Sequence, residues 1–213
     1  MNKLFAAAIL SGTVASPAVF AAPVDSYSYL SGGVQYSHLN EKGTDQYFGD
    51  AYSHDDQDMY GAYYNGSWNV AGNWFVQTKG DYGTHAKDDI FQSYTGVGYF
   101  QPINPALSVY GSVGVATYNV EHKLDGAPND LSYRLQRDDS GASAEVGLQY
   151  RVNNIWRVQP AYRYSDFGKP EQEYSVDNIF NVSDHWAVEG NLRYRKWGGL
   201  DEPGVQLGVR YSY

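Results

Sequence analysis

Six arginines fall late in the chain, Arg151, Arg157, Arg163, Arg193, Arg195 and Arg210, with Glu145 and Glu189 among them. Alternate-residue spacing puts them on one face of extended segments, beside small residues such as Ser143, Gly147, Ala187 and Gly208. Two chemistries suit that composition. One is an internal ion-pair network that fills an enclosed space, because a lone buried charge is very costly. The other is the wall of a narrow, anion-attracting pore, because charged rings set selectivity. Six arginines against two glutamates leave a positive excess, which Asp81, Asp177 and other acids would cancel.

Other clusters carry less. His54-Asp55-Asp56-Gln57-Asp58 closes an acidic stretch, residues 39–58, with net charge −5 from six acids and one lysine. Asp55, Asp56 and Asp58 are weak candidates for a hard cation, since the stretch lacks the glycine and distal glutamate of a calcium loop. A solvated acidic loop explains it as well. His38 follows Ser37, His122 follows Glu121, and His85 precedes Ala86-Lys87-Asp88-Asp89. A rim-sited hydrolase would need such a histidine near a serine or carboxylate, but none of the three completes a motif. The expectation is no enzyme and no cofactor.

The elements that must position these groups are strands. From Ser26 onward period-two alternation recurs, and no 3.6-residue period competes with it. The clearest segments are 141–151, 156–165, 186–195 and 205–213. In the last, Val205, Leu207, Val209, Tyr211 and Tyr213 oppose Gln206, Gly208, Arg210 and Ser212. Noisier ones are 60–70, 74–82, 91–99 and 107–117, and the weakest are 27–38 and 173–182. The total is ten, with eight as the alternative. Short connections, 70–73, 101–106, 152–155 and 183–185, alternate with longer polar ones expected at 39–58, 83–89, 119–140, 166–172 and 197–203. Pro160 inside a strand implies a missing ladder bond or a bulge.

Alternation alone does not say which face meets the core. A soluble barrel also has one apolar face, pointing inward. The content of the polar face and the placement of the aromatics favour the inverse. Trp74, Trp156 and Trp186 directly follow short turns. Tyr64 and Trp68 are expected near one strand end, and Tyr82, Tyr164 and Tyr194 near the other. Two aromatic girdles about ten residues apart match a tilted strand crossing a bilayer. With 21 Tyr and 5 Trp but only 18% charged residues, the chain is rich in side chains suited to a boundary between oil and water.

The first residues read as a secretory signal peptide. Met1-Asn2-Lys3 gives the positive start, an apolar run follows, and Val19-Phe20-Ala21 precedes Ala22-Pro23. Cleavage after Ala21 leaves residues 22–213 as one domain. Removing residues 1–21 takes away one lysine and no acid, so the net charge of −9 becomes −10. That acidity argues against nucleic acid, which needs a basic footprint. There is no cysteine, hence no disulfide framework and no thiolate metal site. No later stretch approaches the roughly 18 apolar residues of a spanning helix. A membrane role must use strands, and strands in lipid must close.

The end of the chain, Val205 to Tyr213, resembles the C-terminal signal of outer-membrane barrels, which alternates apolar residues and ends on an aromatic. Members usually end in Phe, where this chain has Tyr213. Gly96-Val97-Gly98-Tyr99-Phe100, a Pro/Asn turn and Leu107-Ser108-Val109-Tyr110 look like hairpins of small porin-like, OmpA-type transmembrane barrels. The resemblance implies export through the periplasm to the outer membrane of a Gram-negative bacterium. It also implies contact with outer-membrane lipid and lipopolysaccharide, and reading of the last strand by the barrel-assembly machinery.

The sequence therefore predicts an all-β, closed antiparallel transmembrane barrel with a structural or narrow-pore role and a lumen lined by Arg and Glu. The alternative is a surface receptor or adhesin-type barrel acting on an extracellular ligand through its acidic, Tyr-rich loops.

Overall fold

The computed structural model describes residues 27–40, 46–47, 57–86, 88–123 and 134–213. The expected signal peptide lies outside the described residues. Ten strands form one closed barrel: β1 (Tyr29–Leu39), β2 (Gln57–Ala71), β3 (Trp74–His85), β4 (Asp88–Asn104), β5 (Leu107–Lys123), β6 (Arg134–Arg151), β7 (Trp156–Phe167), β8 (Lys169–Asn181), β9 (Trp186–Trp197) and β10 (Leu200–Ser212). Neighbours in sequence pair antiparallel, and β1 closes the ring on β10, with Tyr29 opposite Ser212 and Ser37 opposite Gly204. Closure leaves no edge within the barrel wall.

The barrel is inside-out relative to a soluble protein. Val113 is 68% exposed and Leu207 64%, whereas Glu189 is 0% and Arg195 1% exposed. Each strand keeps the phase its alternation predicts: even-numbered residues of β6 point out, odd-numbered ones in. All five residues of the expected assembly signal, Val205, Leu207, Val209, Tyr211 and Tyr213, are exposed on the outer wall.

Connections differ from expectation at one end. The turns between β2 and β3, β4 and β5, β6 and β7, and β8 and β9 are short, as the sequence indicates. At the opposite end, three of the five expected long loops are tight turns. β3 runs on to His85 and β4 starts at Asp88; β7 and β8 are joined through Gly168; β9 and β10 are joined through Gly198 and Gly199. Ala86, Gly168 and Gly198 all take positive φ, which closes these hairpins without long connections. The expected loop 119–140 also shrinks, because β5 continues to Lys123 and β6 begins at Arg134. The cause is common to all four: polar residues that face a lumen or stand above a membrane look like loop residues.

Pro160 produces a missing bond and no bulge. The β6–β7 ladder pairs Gly147 with Ala161, then resumes at Tyr150 with Val158 in the same register. The interruption sits where Pro160 has no N–H to offer.

Candidate functional site

The lumen is the candidate site, and all eight predicted lumen residues lie on its inward face. Toward the end that carries the termini, Arg210 Nε donates to Glu189 Oε2 at 2.7 Å, and Arg210 Nη1 donates to Gln159 Oε1 at 3.1 Å. The Arg210 guanidinium also lies 3.9 Å from the centre of the Tyr29 ring, a cation–π contact. From the far side of two strands, the Tyr63 hydroxyl donates to Glu189 Oε1 at 2.7 Å.

Two glycines make that reach feasible. Gly33 and Gly208 face each other across β1 and β10, and the Tyr63 hydroxyl lies over Gly208. A Cβ on Gly208 would stand 2.3 Å from the Tyr63 hydroxyl. That Cβ would also stand 2.4 Å from the Gly32 carbonyl oxygen, so Gly208→Ala is expected to displace the Tyr63 hydroxyl from Glu189, strain the β1–β10 pairing and cost about 1–3 kcal/mol. Urea unfolding in lipid vesicles checks this; an unchanged midpoint would contradict it.

At mid-lumen Glu145 collects its partners. Lys79 Nζ donates to Glu145 Oε1 at 2.7 Å, the Tyr110 hydroxyl at 3.0 Å and Gln77 Nε2 at 3.4 Å. Arg163 approaches Glu145 Oε2 at 3.7 Å and binds Glu173 Oε2 at 2.9 Å. Glu173 is shared with Arg195, at 3.0 Å, and so joins this cluster to the next.

Arg195 is the hub of that next cluster. It reaches Glu202 at 2.8 Å, Asp81 at 3.2 Å and Glu171 at 3.8 Å, while Arg193 holds Asp81 at 2.9 Å. Arg151 and Arg157 face one another across β6 and β7 near the short-turn end. The apparent excess of six arginines over two glutamates is cancelled, by Asp81 and Asp177 as the sequence suggested and by further acids. Lys79 joins the six arginines, and Asp81, Glu171, Glu173, Asp177 and Glu202 join the two predicted glutamates. Seven cations meet these seven carboxylates, and Asp88 adds an eighth carboxylate at the loop end, against His122.

Both ends of this ionic column are closed by rings. Below, Tyr27 stacks on Phe100 at 4.2 Å and packs with Phe75 and Tyr110. Inward glycines make room: a Cβ on Gly98 would lie 2.3 Å from the Phe75 ring, and one on Gly147 2.6 Å from Tyr110. Above, Leu39, Met59, Ile90, Tyr118, Val120, Phe167, Trp197 and Leu200 form an apolar layer. Tyr47 reaches into it from the β1–β2 connection. Its hydroxyl donates to Glu202 at 3.2 Å and accepts from Gln92 at 2.6 Å, and its ring meets Trp197 edge-on. Between the caps, the cavity beside Asp177 and Lys79 leaves about 20 Å³ for water centres. One water needs roughly 10–15 Å³.

Seven of the eight predicted girdle residues fall in two bands. Trp68, Trp74, Trp156 and Trp186 lie at the short-turn end, where Trp74 meets Tyr99, Trp156 stacks on Phe180 and Trp186 meets Tyr211. Tyr82, Tyr164 and Tyr194 lie at the other end. Tyr64 does not: it sits mid-strand opposite Gly80, and its ring covers that glycine. The loop-end residues on β1 and β2 are Tyr36 and Tyr60 instead, their rings 5.4 Å apart. Three loop-end tyrosines donate their hydroxyls to aspartates: Tyr36 to Asp58, Tyr82 to Asp89 and Tyr194 to Asp201.

The weak candidates disperse. Asp55 and Asp56 lie outside the described residues. Asp58 is on the outer wall, bonded by Tyr36 and by His38 Nδ1 at 2.8 Å. His38 faces out and Ser37 in, so the two point apart. His122 is buried at the loop end, 2.5 Å from Asp88, and His85 is exposed at the end of β3.

Sequence reasoning missed Lys79, Glu171, Glu173 and Glu202. A signal existed: Glu171 and Glu173 continue the inward parity of Ser175 and Asp177, and Glu202 that of Gln206 and Arg210.

No curated protein matches the sequence. Among solved structures, Ail, the attachment invasion locus protein of Yersinia pestis, is 14% identical with a TM-score of 0.44, covering 87% of this chain and 97% of its own. Neisserial surface protein A is 10% identical with a TM-score of 0.45, covering 88% and 98%. The outer membrane protein OprG from Pseudomonas aeruginosa is 14% identical with a TM-score of 0.42, covering 90% and 98%. The family model described as outer membrane protein beta-barrel domain matches residues 5–183. With that model matched over most of its length, and with ten antiparallel strands closed around a polar lumen, the chain belongs to the outer-membrane β-barrel family and resides in the outer membrane of a Gram-negative bacterium.

Proposed function

We propose that this barrel is a sealed, non-conducting scaffold that anchors its extracellular strand ends and loops at the cell surface. The observation that carries the reading is the packed lumen: a network of ion pairs and hydrogen bonds between two aromatic caps, in which the cavity beside Asp177 and Lys79 has room for one or two water molecules. A hydrated ion or a sugar needs a continuous path; about eight strands enclose only side chains, and the added width of ten is taken up here by the ionic column and its caps. Buried pairing also explains why so many charges are tolerated away from bulk water. Even strand number puts both ends of the barrel on the short-turn, periplasmic side, so the ends of β5 and β6 at Lys123 and Arg134 point outward.

Vesicles carrying the refolded protein are expected to retain a small trapped sugar as well as protein-free vesicles do. Release at a rate proportional to protein content would overturn the reading. It would restore the narrow pore lined by Arg157 and Arg193.

A further inference from the structure

The extracellular end of the lumen holds a pocket that strands build and a residue from outside the strands fills. Leu39, Met59, Ile90, Phe167, Trp197 and Leu200 form its apolar walls, and each belongs to a strand. Two buried polar side chains lie one step further in. Gln92 follows Ile90 on the inward face of β4, and Glu202 follows Leu200 on that of β10. Tyr47 belongs to no strand, yet it is fully buried among these groups. Its neighbour Gln46 reaches the β9–β10 turn, where a Cβ on Gly198 would lie 2.6 Å from the Gln46 carboxamide oxygen. The ring therefore enters from the extracellular rim.

The contacts match a phenol at both ends. The Tyr47 hydroxyl accepts from Gln92 Nε2 at 2.6 Å and donates to Glu202 Oε2 at 3.2 Å, which uses the donor and the acceptor that a phenol offers. The ring meets Trp197 edge-on, with centroids 5.6 Å apart, a favoured aromatic geometry. The receiving groups do not need Tyr47 to hold them. Arg195 Nη1 fixes Glu202 Oε2 at 2.8 Å, and strand pairing around the barrel sets the walls. An apolar cleft with a few convergent polar groups is the usual form of a small-ligand site.

We infer that this pocket binds a phenol brought from outside, and that Tyr47 is its built-in competitor. A ring tethered by its own chain competes at an effective concentration on the order of millimolar, so an outside phenol displaces it by mass action. Chemistry sets the ligand class. An aromatic hydrocarbon without the hydroxyl leaves buried Gln92 with no acceptor, and a site built around a hydroxyl rejects such an analogue. A substituent para to the hydroxyl fits, because Tyr47 carries its own backbone there. The pocket lies above the ionic column, so the inference goes beyond the sealed-scaffold reading and does not depend on it.

The test uses the full chain in lipid nanodiscs, with uptake measured by equilibrium dialysis against empty nanodiscs. Tyr47→Ala is expected to bind p-cresol roughly tenfold more tightly than toluene. Adding Gln92→Leu is expected to remove that preference. The wild type is expected to show the same preference with a weaker half-saturation. Tyr47→Phe keeps the ring, loses both hydrogen bonds and is expected to shift half-saturation about tenfold toward that of the vacated site. A free phenol and a tyrosine on an incoming chain share this chemistry. Uptake of N-acetyl-tyrosine amide as well as p-cresol assigns the site to the tyrosine, and uptake of p-cresol alone assigns it to the free phenol. Equal uptake of p-cresol and toluene by Tyr47→Ala would overturn the inference. So would a wild-type barrel that takes up no more p-cresol than empty nanodiscs do, because Tyr47 would then be a fixed part of the core. Vesicles that leak sugar while this exchange holds would overturn the sealed reading and uphold the phenol site.

Discussion

Arg195→Ala is expected to destabilise the barrel by about 3–5 kcal/mol, the usual consequence of removing one partner from a buried charge cluster. Arg195 is 1% exposed and lies within ion-pair distance of Asp81, Glu173, Glu202 and Glu171. No other described side chain faces four carboxylates. Its loss leaves Arg193 and Arg163 to hold Asp81 and Glu173, and among the described residues leaves Glu202 the Tyr47 hydroxyl. Like charges then crowd a space too small to admit bulk water. The measurement is urea unfolding in lipid vesicles, followed by the shift in gel migration between folded and heated forms. Pairing Arg195→Met with Glu202→Gln is expected to recover part of the loss, because it removes one orphaned charge. An Arg195→Ala barrel as stable as the parent would mean that the column is hydrated and the charges are solvated individually.

Val113→Arg is expected to cost about 2–4 kcal/mol, the range for a cation on the lipid face near the bilayer midplane. Val113 sits mid-strand between Val97 on β4 and Ala144 on β6. It is among the most exposed residues of the molecule. On a water-soluble protein a substitution at so exposed a position is close to neutral. The experiment therefore asks what surrounds the wall. Unfolding free energy in vesicles is the quantity to compare, and a change below about 0.5 kcal/mol would deny that lipid touches Val113.

Most of the fold could be read from the chain because its two faces have opposite chemistry. Once Leu207 and Val209 alternate with Gly208 and Arg210, a one-residue slip would put arginine into lipid. The pattern thus carries strand identity, facing and count. Strand ends could not be read as well. Glu171 and Glu202 are polar and sit beside glycine or proline, which by composition is the look of a loop, yet they are lumen residues near the tops of β8 and β10. Tyr64 shows the converse limit. A tyrosine on the outer face suits either a girdle or a mid-strand gap, and it is Gly80 on the neighbouring strand that decides in favour of the gap. Charge balance in the lumen was partly legible: Asp81 and Asp177 fall in segments read as strands, whereas Glu171 and Glu202 lay in segments read as loops.

The lumen's state depends on those acids. With six arginines and two glutamates alone, the wall would attract anions. With Asp81, Glu171, Glu173, Asp177 and Glu202 added, each cluster is close to neutral and holds its neighbours in place. Single-channel recording of the refolded wild-type protein in planar bilayers tests this most directly. A sealed, charge-balanced lumen predicts no unitary steps in symmetric potassium chloride, with insertion confirmed independently by heat-modifiable migration of the recovered protein. Reproducible steps with a reversal potential shifted toward chloride under a salt gradient would contradict it.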